Sequence, residues 1–600
     1  MKNARWLLVL GLLAGCAGKD PPRAQLHDGG GGGGADARAE TPDAGRDGGC
    51  TPCEPALLLG IDVAEATLQP AFDPAVRDYE VRVPLRTDSI TLTVTAPEHT
   101  QVSAIGDGDA TALPITSGEP VTLSLAGSHT WTLSAVRTDS AGRDDLAAKY
   151  LLTVQRGENV YIKASNPGED DGFGSNLALS GETLVVGAPS EASSARGVNG
   201  NQASDAAPYS GAAYVFTRAE HAWTQQAYLK ASNTGENDAF GGAVAIDADT
   251  LVVGARGEAS AASGVNGDAS DDSLDSAGAA YVFVRQGGAW RQQAYLKASN
   301  PGKTDSFGAS VAISGDTIVV GAPSEASGAK GVNGDQADDS AMGAGAAYVF
   351  TRANGKWAQQ AYLKSSDTAE QQFFGMRVAI LGDTIAVSAA RIFGSTGAIH
   401  LFARKGSTWT ETAVIRAPDA FPTGFGTALA LGANTLVVGA PDDMFPVGTP
   451  AENAALGGVA YVYTRNGSDA KWTRSAELRA SDGKGGDELG CAVALSGETL
   501  LVGAYKEGSH SRGLDAVQSN TTGNSGAAYL FERKAGSATW TQAHFIKGLE
   551  SYAEDRFGLA LAASPEHFAI GAPGENGGDP GVGGSPINYT VPNSGAVFVY

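Results

Sequence analysis

From residue 160 to 600 the apolar positions fall in short runs bounded by Gly, Asn, Asp and Ser clusters, the pattern of strands and turns rather than helices. Three runs recur in fixed order. A Phe-Gly step, at Phe173, Phe240, Phe307, Phe374, Phe425 and Phe557 with Leu489 in place of one Phe, precedes Val-Val-Gly-Ala-Pro and then Gly-Ala-Ala-Tyr-Val-Phe, or variants of these. Its spacing of about 50 to 70 residues is at and somewhat above that of propeller repeats. Seven copies predict seven units, each of four strands in sequence order; in the third unit these are 294–297, 307–313, 317–321 and 346–350. A Trp runs into the first of these strands in units two to seven (Trp223, Trp290, Trp357, Trp409, Trp472 and Trp540), whereas the first unit opens at Val160-Tyr161-Ile162-Lys163 without one. If each Trp-bearing strand completes the preceding sheet, the last sheet lacks a strand that only 161–163 can supply. The prediction is a ring whose two ends pair, which removes an open edge.

Residues 57 to about 156 follow a different rhythm. Strict alternation in Tyr79-Glu80-Val81-Arg82-Val83 and Ile90-Thr91-Leu92-Thr93-Val94 predicts an antiparallel sandwich with one buried face per sheet. The stretch Ala66-Thr67-Leu68-Gln69-Pro70-Ala71-Phe72-Asp73-Pro74, followed by Tyr79 and closed by Tyr150-Leu151-Leu152-Thr153-Val154, resembles the bacterial cadherin-like β-sandwich family. That resemblance implies a spacer or binding module. The repeats resemble the FG-GAP family, known from the heads of integrin α chains, and this implies a propeller. The expected fold is all-β: a seven-bladed β-propeller preceded by a small antiparallel β-sandwich and a disordered lipoprotein tether.

The remaining N-terminal part has its own logic. Lys2 and Arg5 precede the apolar stretch 6–13, too short to span a bilayer but suited to a signal peptide. Leu13-Ala14-Gly15-Cys16 resembles the lipobox of bacterial lipoproteins, which implies cleavage before Cys16 and its lipidation; Ala17 in place of Asp implies the outer membrane. Residues 16–56 are mostly Gly, Ala, Asp and Pro, with too little apolar content to fold. The expected organisation is a signal peptide (1–15), a tether (16–56), the sandwich (57–157) and the propeller (158–600), at the cell envelope and compatible with surface exposure. Sixty-six acidic against forty-two basic side chains give a formal charge of −24, which disfavours nucleic acid as a partner. Cys50 and Cys53 allow a small disulfide, and Cys491 reads as a buried hydrophobe.

Candidate chemistry lies in the connections. Integrin-type units often hold calcium in an Asp-x-Asp-x-Asp-Gly loop, because a hard cation needs several converging oxygens. Here the corresponding turns are as short as Ser180-Gly181-Glu182-Thr183 and Ser314-Gly315-Asp316-Thr317, so calcium is left open but unsupported, and no metal ligand or cofactor is assigned. Long insertions instead separate the third and fourth strands of the first three units. They open at Asn199, Asn266 and Asn333 and carry Asp268, Asp271, Asp272, Asp335, Asp338 and Asp339, the candidate partner-binding residues. They should emerge on one face together with 166–172, 233–239 and 300–306, opposite the short turns, which makes that face the candidate surface for a protein or glycan. A basic residue ends each opening strand (Lys163, Lys230, Lys297, Lys364, Arg416, Arg479 and Lys547). An Asp lies two positions before the Phe-Gly step in five units (Asp171, Asp238, Asp305, Asp487 and Asp555), and together they suggest an ion pair between blades. No Gly-x-Ser-x-Gly, His-Glu-x-x-His or paired Cys-x-x-Cys motif supports catalysis. The reading is a non-catalytic recognition or adhesion module, with a carbohydrate-active enzyme using propeller carboxylates, or a purely architectural envelope protein, as the alternatives.

Overall fold

The computed structural model describes residues 57–600 apart from 65, 84–86, 88, 108, 126–129, 139–142, 157–159, 220–221, 391–396, 419–423, 442–456, 467–470 and 516–522. Cys16, the tether, Cys50 and Cys53 lie outside the described residues. Every regular element among the described residues is a strand.

The first ninety or so form a sandwich of a three-stranded and a six-stranded sheet. The alternation read from the sequence holds in Ser89–Thr95, where Ile90, Leu92 and Val94 are buried, and in Thr130–Thr138, where Trp131, Leu133 and Ala135 face the same core. One pairing departs from the antiparallel expectation: Asp78–Val83 runs parallel to Asp144–Arg156, in the register Tyr79 to Leu152. The Tyr79 hydroxyl donates to Asp73 O at 2.5 Å, which folds the Phe72-Asp73-Pro74 turn over the sheet.

Residues 160–600 form seven four-stranded antiparallel sheets, the blades of a propeller. The first is Asn176–Ser180, Thr183–Ala188, Ala212–Ala219 and Ala222–Leu229. The next five follow at Phe240–Asp247, Ser310–Ser314, Phe374–Leu381, Ala428–Leu431 and Leu489–Ser496, each named here by its innermost strand. The seventh takes Ala560–Ala563, Phe568–Ala572 and Ala596–Val599, and borrows Val160–Ile162 as its outer strand, with Tyr161 opposite Phe598. Each Trp-bearing strand completes the preceding sheet, so the ends of the repeat region pair as the sequence led one to expect. Innermost strands touch in a cycle that returns from Ala560–Ala563 to Asn176–Ser180.

The repeated cadence has a steric cause. A Cβ on Gly254 would lie 2.0 Å from Gly308 O of the next sheet, and a Cβ on Gly571 would lie 2.1 Å from Gly174 O across the closure. The glycine of Val-Val-Gly-Ala in one sheet therefore lets in the Phe-Gly glycine of its neighbour, and only an absent side chain permits that approach. The Phe before that glycine is fully buried and meets two aromatic rings of its own sheet edge-on; Phe173 lies 5.2 Å from Tyr214 and 6.1 Å from Phe216. Such contacts add about 0.5–1.5 kcal/mol each beyond the area buried. A β-bulge recurs between the third and fourth strands, at Val215/Phe216 and Val282/Phe283 among others, adding local twist to each sheet.

Adjacent sheets are also tied on the face of short turns. In the second sheet Arg285 pairs with Asp249 at 2.6 Å and lies over the Trp290 ring, while Trp290 Nε1 donates to Gln226 Oε1 of the first sheet at 2.7 Å. Arg352 with Trp357, and Trp409 with Gln360, repeat the arrangement. These contacts link adjacent blades; the lysine pairs do not.

Candidate functional site

Each long insertion of the first three sheets rises from a buried polar network. Lys230 donates to Glu191 Oε2 and to Ser210 Oγ, both at 2.8 Å. Glu191 Oε1 accepts from Tyr228 at 2.8 Å and from Asn166 at 3.0 Å, and Asn166 in turn accepts from Tyr214 at 2.7 Å. Lys230 is fully buried and Glu191 nearly so. Burial pushes the Lys230 ammonium below its ordinary value, and Glu191 opposes that. The same pair recurs as Lys297–Glu258 at 2.7 Å, Lys364–Glu325 at 2.8 Å, Lys547–Glu507 at 2.9 Å and Lys163–Glu575 at 2.8 Å.

This corrects the expected ion pair between blades in two respects. Lys230 follows the outer strand and Glu191 the second strand of one sheet, so the pair is internal to a blade. The partner is a glutamate at the root of the insertion rather than the Asp before Phe-Gly. That Asp has a different task. Asp171, Asp238 and Asp305 each accept from a glycine amide three residues earlier, at 2.7, 2.7 and 2.8 Å. Burial, with the nearby network glutamate, pushes their carboxyls up to about 7.

The three asparagines singled out from the sequence are committed to structure. Asn199 adopts φ 55°, and its Oδ1 accepts from Tyr228 N at 2.9 Å while its own amide donates to Tyr228 O at 2.7 Å. Asn266 does the same with Tyr295, and Asn333 with Tyr362. They clamp the insertion to the end of the outer strand. The aspartates are spread along the loops: Asp268 caps Ser270, Asp271 accepts from Ser273 N and Ala261 N, Asp335 from Ala337 N and Asp338 from Ser340 N. Asp272 and Asp339 act electrostatically on Asp238 and Asp305. Among the described residues no group of three or more His, Cys, Asp or Glu converges as metal ligands would.

Insertions and inter-sheet segments do emerge together. Asn166 also donates to Gln202 O in the first insertion, and Asp170 N donates to Pro592 O in the last. On this face several large apolar side chains stand in solvent: Tyr209 at 55%, Met342 at 69% and Ile587 at 63% exposure, with Tyr589 packed on Tyr552. These residues were not singled out in the sequence, where a lone apolar residue in a polar loop carries no period.

The fourth sheet is the exception. His400 replaces the ring at the Tyr214 position, Asp367 stands for Asn166, and Arg416 stands for Lys230. His400 is fully buried, with Nδ1 2.6 Å from Glu411 Oε1 and Nε2 3.5 Å from Ser365 Oγ. The order Ser365, His400, Glu411 looks like nucleophile, base and carboxylate. Yet Ser365 is completely buried and its hydroxyl is bonded to Asp367, so no reacting carbonyl can reach it and the histidine has no proton to take from it. Arg416 pairs with Asp367 at 2.6 Å.

Along the ring axis runs a channel of about 680 Å³, lined by the innermost strands of all seven sheets. Cys491 lines it, half-buried rather than in the core as expected, and burial pushes its thiol up to about 12, so it is protonated and inert at neutral pH.

Comparison with known families fits this geometry. Residues 157–216, 223–283, 290–350, 357–402 and 472–531 match the FG-GAP repeat model, and residues 61–157 match the cadherin-like beta sandwich domain. Five of the seven repeats are FG-GAP repeats, and the sandwich before them is a cadherin-like domain. No curated protein matches the chain. Solved structures similar to it include a putative 6-phosphogluconolactonase from Bacteroides uniformis (9% identity, 76% of this chain and 98% of that one, TM-score 0.38). A protein from Lactobacillus plantarum (10%, 76% and 98%, TM-score 0.37) and Saccharomyces cerevisiae Sqt1 (8%, 74% and 99%, TM-score 0.34) are others. The FG-GAP repeats and the cadherin-like domain together suggest a recognition or adhesion protein of the extracellular kind.

Proposed function

We propose that this FG-GAP protein is a non-catalytic recognition or adhesion module that captures a protein or glycan on the face of long connections, held at the outer membrane through lipidated Cys16. One observation carries the reading for that face: Tyr209, Met342 and Ile587 stand exposed there on loops clamped at their roots by buried ion pairs. Exposed apolar side chains on pre-ordered loops bind at low entropic cost. The opposite face is trimmed to two-residue turns such as the one pairing Ser180 with Thr183.

The test is capture on a protein and glycan array by the full chain in detergent, compared with Tyr209→Ser/Met342→Ser. Loss of capture with an unchanged melting profile is expected. Capture unaffected by the double substitution would overturn the assignment of the face, and turnover of a captured glycan would replace the reading by a carbohydrate-active enzyme.

A further inference from the structure

The channel mouth on the elaborated face breaks the charge pattern of this chain. Six innermost strands place Asn176, Ala243, Ser310, Ala428, Ala492 and Ala560 at one register position, and that of the fourth sheet places Arg377. Arg377 N donates to Ser388 Oγ, one residue before the end of the second strand at Ala389, which sets it toward the end of the channel where the long connections emerge. Among the described residues its side chain makes one hydrogen bond to protein, from Nη1 to Met376 O at 3.1 Å, and no carboxylate pairs with it. A guanidinium carries five donors and keeps its charge, so with one protein acceptor Arg377 leaves most of its donors turned to solvent in the channel and open to a ligand.

Its surroundings add positive charge rather than cancel it. Arg256 occupies the rim position held by Pro189, Pro323 and Pro441 in other sheets, and it is near enough to act on Arg377. Arg556 also lines the mouth, with a long 3.4 Å contact to Glu554. The one carboxylate on the lining among the described residues, Glu488, is already paired with Lys506. In a chain of net charge −24, three arginines at one opening form a local inversion. Enclosure by the ring keeps bulk water and salt from screening it fully.

We propose that this mouth is an oxyanion site that takes the carboxylate of an acidic sugar unit. The volume of about 680 Å³ falls within the range of small-molecule sites, about 300–1,000 Å³. Its wall carries the hydroxyl and amide groups of Ser175, Asn176, Ser310 and Thr427, the first three already donating to backbone carbonyls and so offering acceptors, and one aromatic ring, Tyr505, with Lys506 over it. That combination suits a pyranose ring with hydroxyls at its edge and an apolar face. The planar carboxylate matches the fork of Arg377 two bonds to two oxygens. An acidic protein side chain would reach Arg377 but leave most of the polar wall unused. This inference rests on the recognition reading and adds to the loop face a separate site for an acidic glycan.

Titration calorimetry of the full chain with trigalacturonate, its methyl ester, sulfate and phosphate tests it. Trigalacturonate should bind, the ester at least tenfold more weakly, and Arg377→Gln should lose at least tenfold with the same melting temperature. Arg377→Lys keeps the charge without the fork and should fall between. Absence of trigalacturonate binding, equal binding of the ester, indifference to Arg377→Gln, or displacement by sulfate or phosphate at equal concentration would each overturn the proposal. Retention of trigalacturonate binding by Tyr209→Ser/Met342→Ser would support it, since the channel wall is separate from those loops. Array capture that depends on those loops, with no binding of trigalacturonate, would overturn the channel site while leaving the recognition reading intact.

Discussion

In the first three sheets the connection after the second strand is long, and its root is held by a lysine and a glutamate with essentially no exposure. In the fourth sheet the same connection spans only 390–397, and the pair is Arg416 with Asp367, whose side chains are 59% and 39% exposed. The difference shows what the buried pair is for. Removing two charges from water is costly, and their attraction repays it only when the remaining donors and acceptors are satisfied. Glu258 meets that condition: Lys297, Tyr295, Asn233 and Ser260 N all donate to its two oxygens. A loop of more than twenty residues is thereby fixed to its sheet at one point. Without such a loop the fourth sheet keeps a pair but leaves it half in solvent.

The strongest way to break this comparison is to remove one carboxylate from each arrangement. Glu258→Gln leaves Lys297 buried with no counter-charge, and the expected loss is about 3–5 kcal/mol. Asp367→Asn, at a partly exposed pair, should cost about 1 kcal/mol or less. Urea denaturation of the full chain, followed at the propeller transition, measures both. Equal losses would mean that the two arrangements are energetically the same device.

A smaller effect separates the buried aspartates from the fourth sheet, where Gln372 takes their position and accepts from Ala369 N at 3.2 Å just as Asp238 accepts from Gly235 N. Burial holds the Asp238 carboxyl up at about 7, above its unfolded value. The protonated form is therefore favoured by folding: its contribution is complete below about pH 4 and is lost as pH rises through about 7. Asp238→Asn should match the parent at pH 4 and exceed it at pH 8. A tenfold change in proton affinity between the folded and unfolded chain corresponds to about 1.4 kcal/mol, so the gain at pH 8 should be at least about that much. Thermal melting at the two pH values decides; an equal gain at both would exclude ionisation as the cause.

Much of this ring was readable in advance because its constraints recur. The Phe-Gly and Val-Val-Gly-Ala glycines repeat because each sheet needs its neighbour's backbone close, and the missing Trp before Val160 pointed to the strand that closes the seventh sheet. The lysines were visible too, but were matched with the Asp before Phe-Gly, although the true partner recurs at one offset: Glu191, Glu258, Glu325, Glu507 and Glu575 each follow Val-Val-Gly-Ala or its variant by three residues. The two units with arginine instead of lysine carry Ile392 and Asp443 at that offset, so lysine and glutamate come and go together. The Asn at 199, 266 and 333 drew attention as an exposed loop residue, whereas its recurrence reflects a positive φ and a strand-end clamp. Arg377 could not be read at all, because one register position matters only once the innermost strand is known.

The smallest effect sharpens the comparison from the other side. Arg416→Ala removes the cation of that pair but leaves Asp367 with Ser365 and Gln372 as donors. Burial raises the Asp367 carboxyl, yet those donors together with Arg416 and His400 hold it below the usual carboxylate range. The aspartate should thus remain ionised and hydrogen-bonded in the variant, and the loss should stay under about 1 kcal/mol, as for exposed pairs in general. Because the pair is reached by solvent, the difference between parent and variant should shrink further in high salt, where the Debye length falls to about 3 Å at 1 M. Thermal melting at low and high salt measures it. A loss as large as that of Glu258→Gln, or one indifferent to salt, would place Arg416 in the same class as the buried lysines and remove the distinction between the fourth sheet and its neighbours.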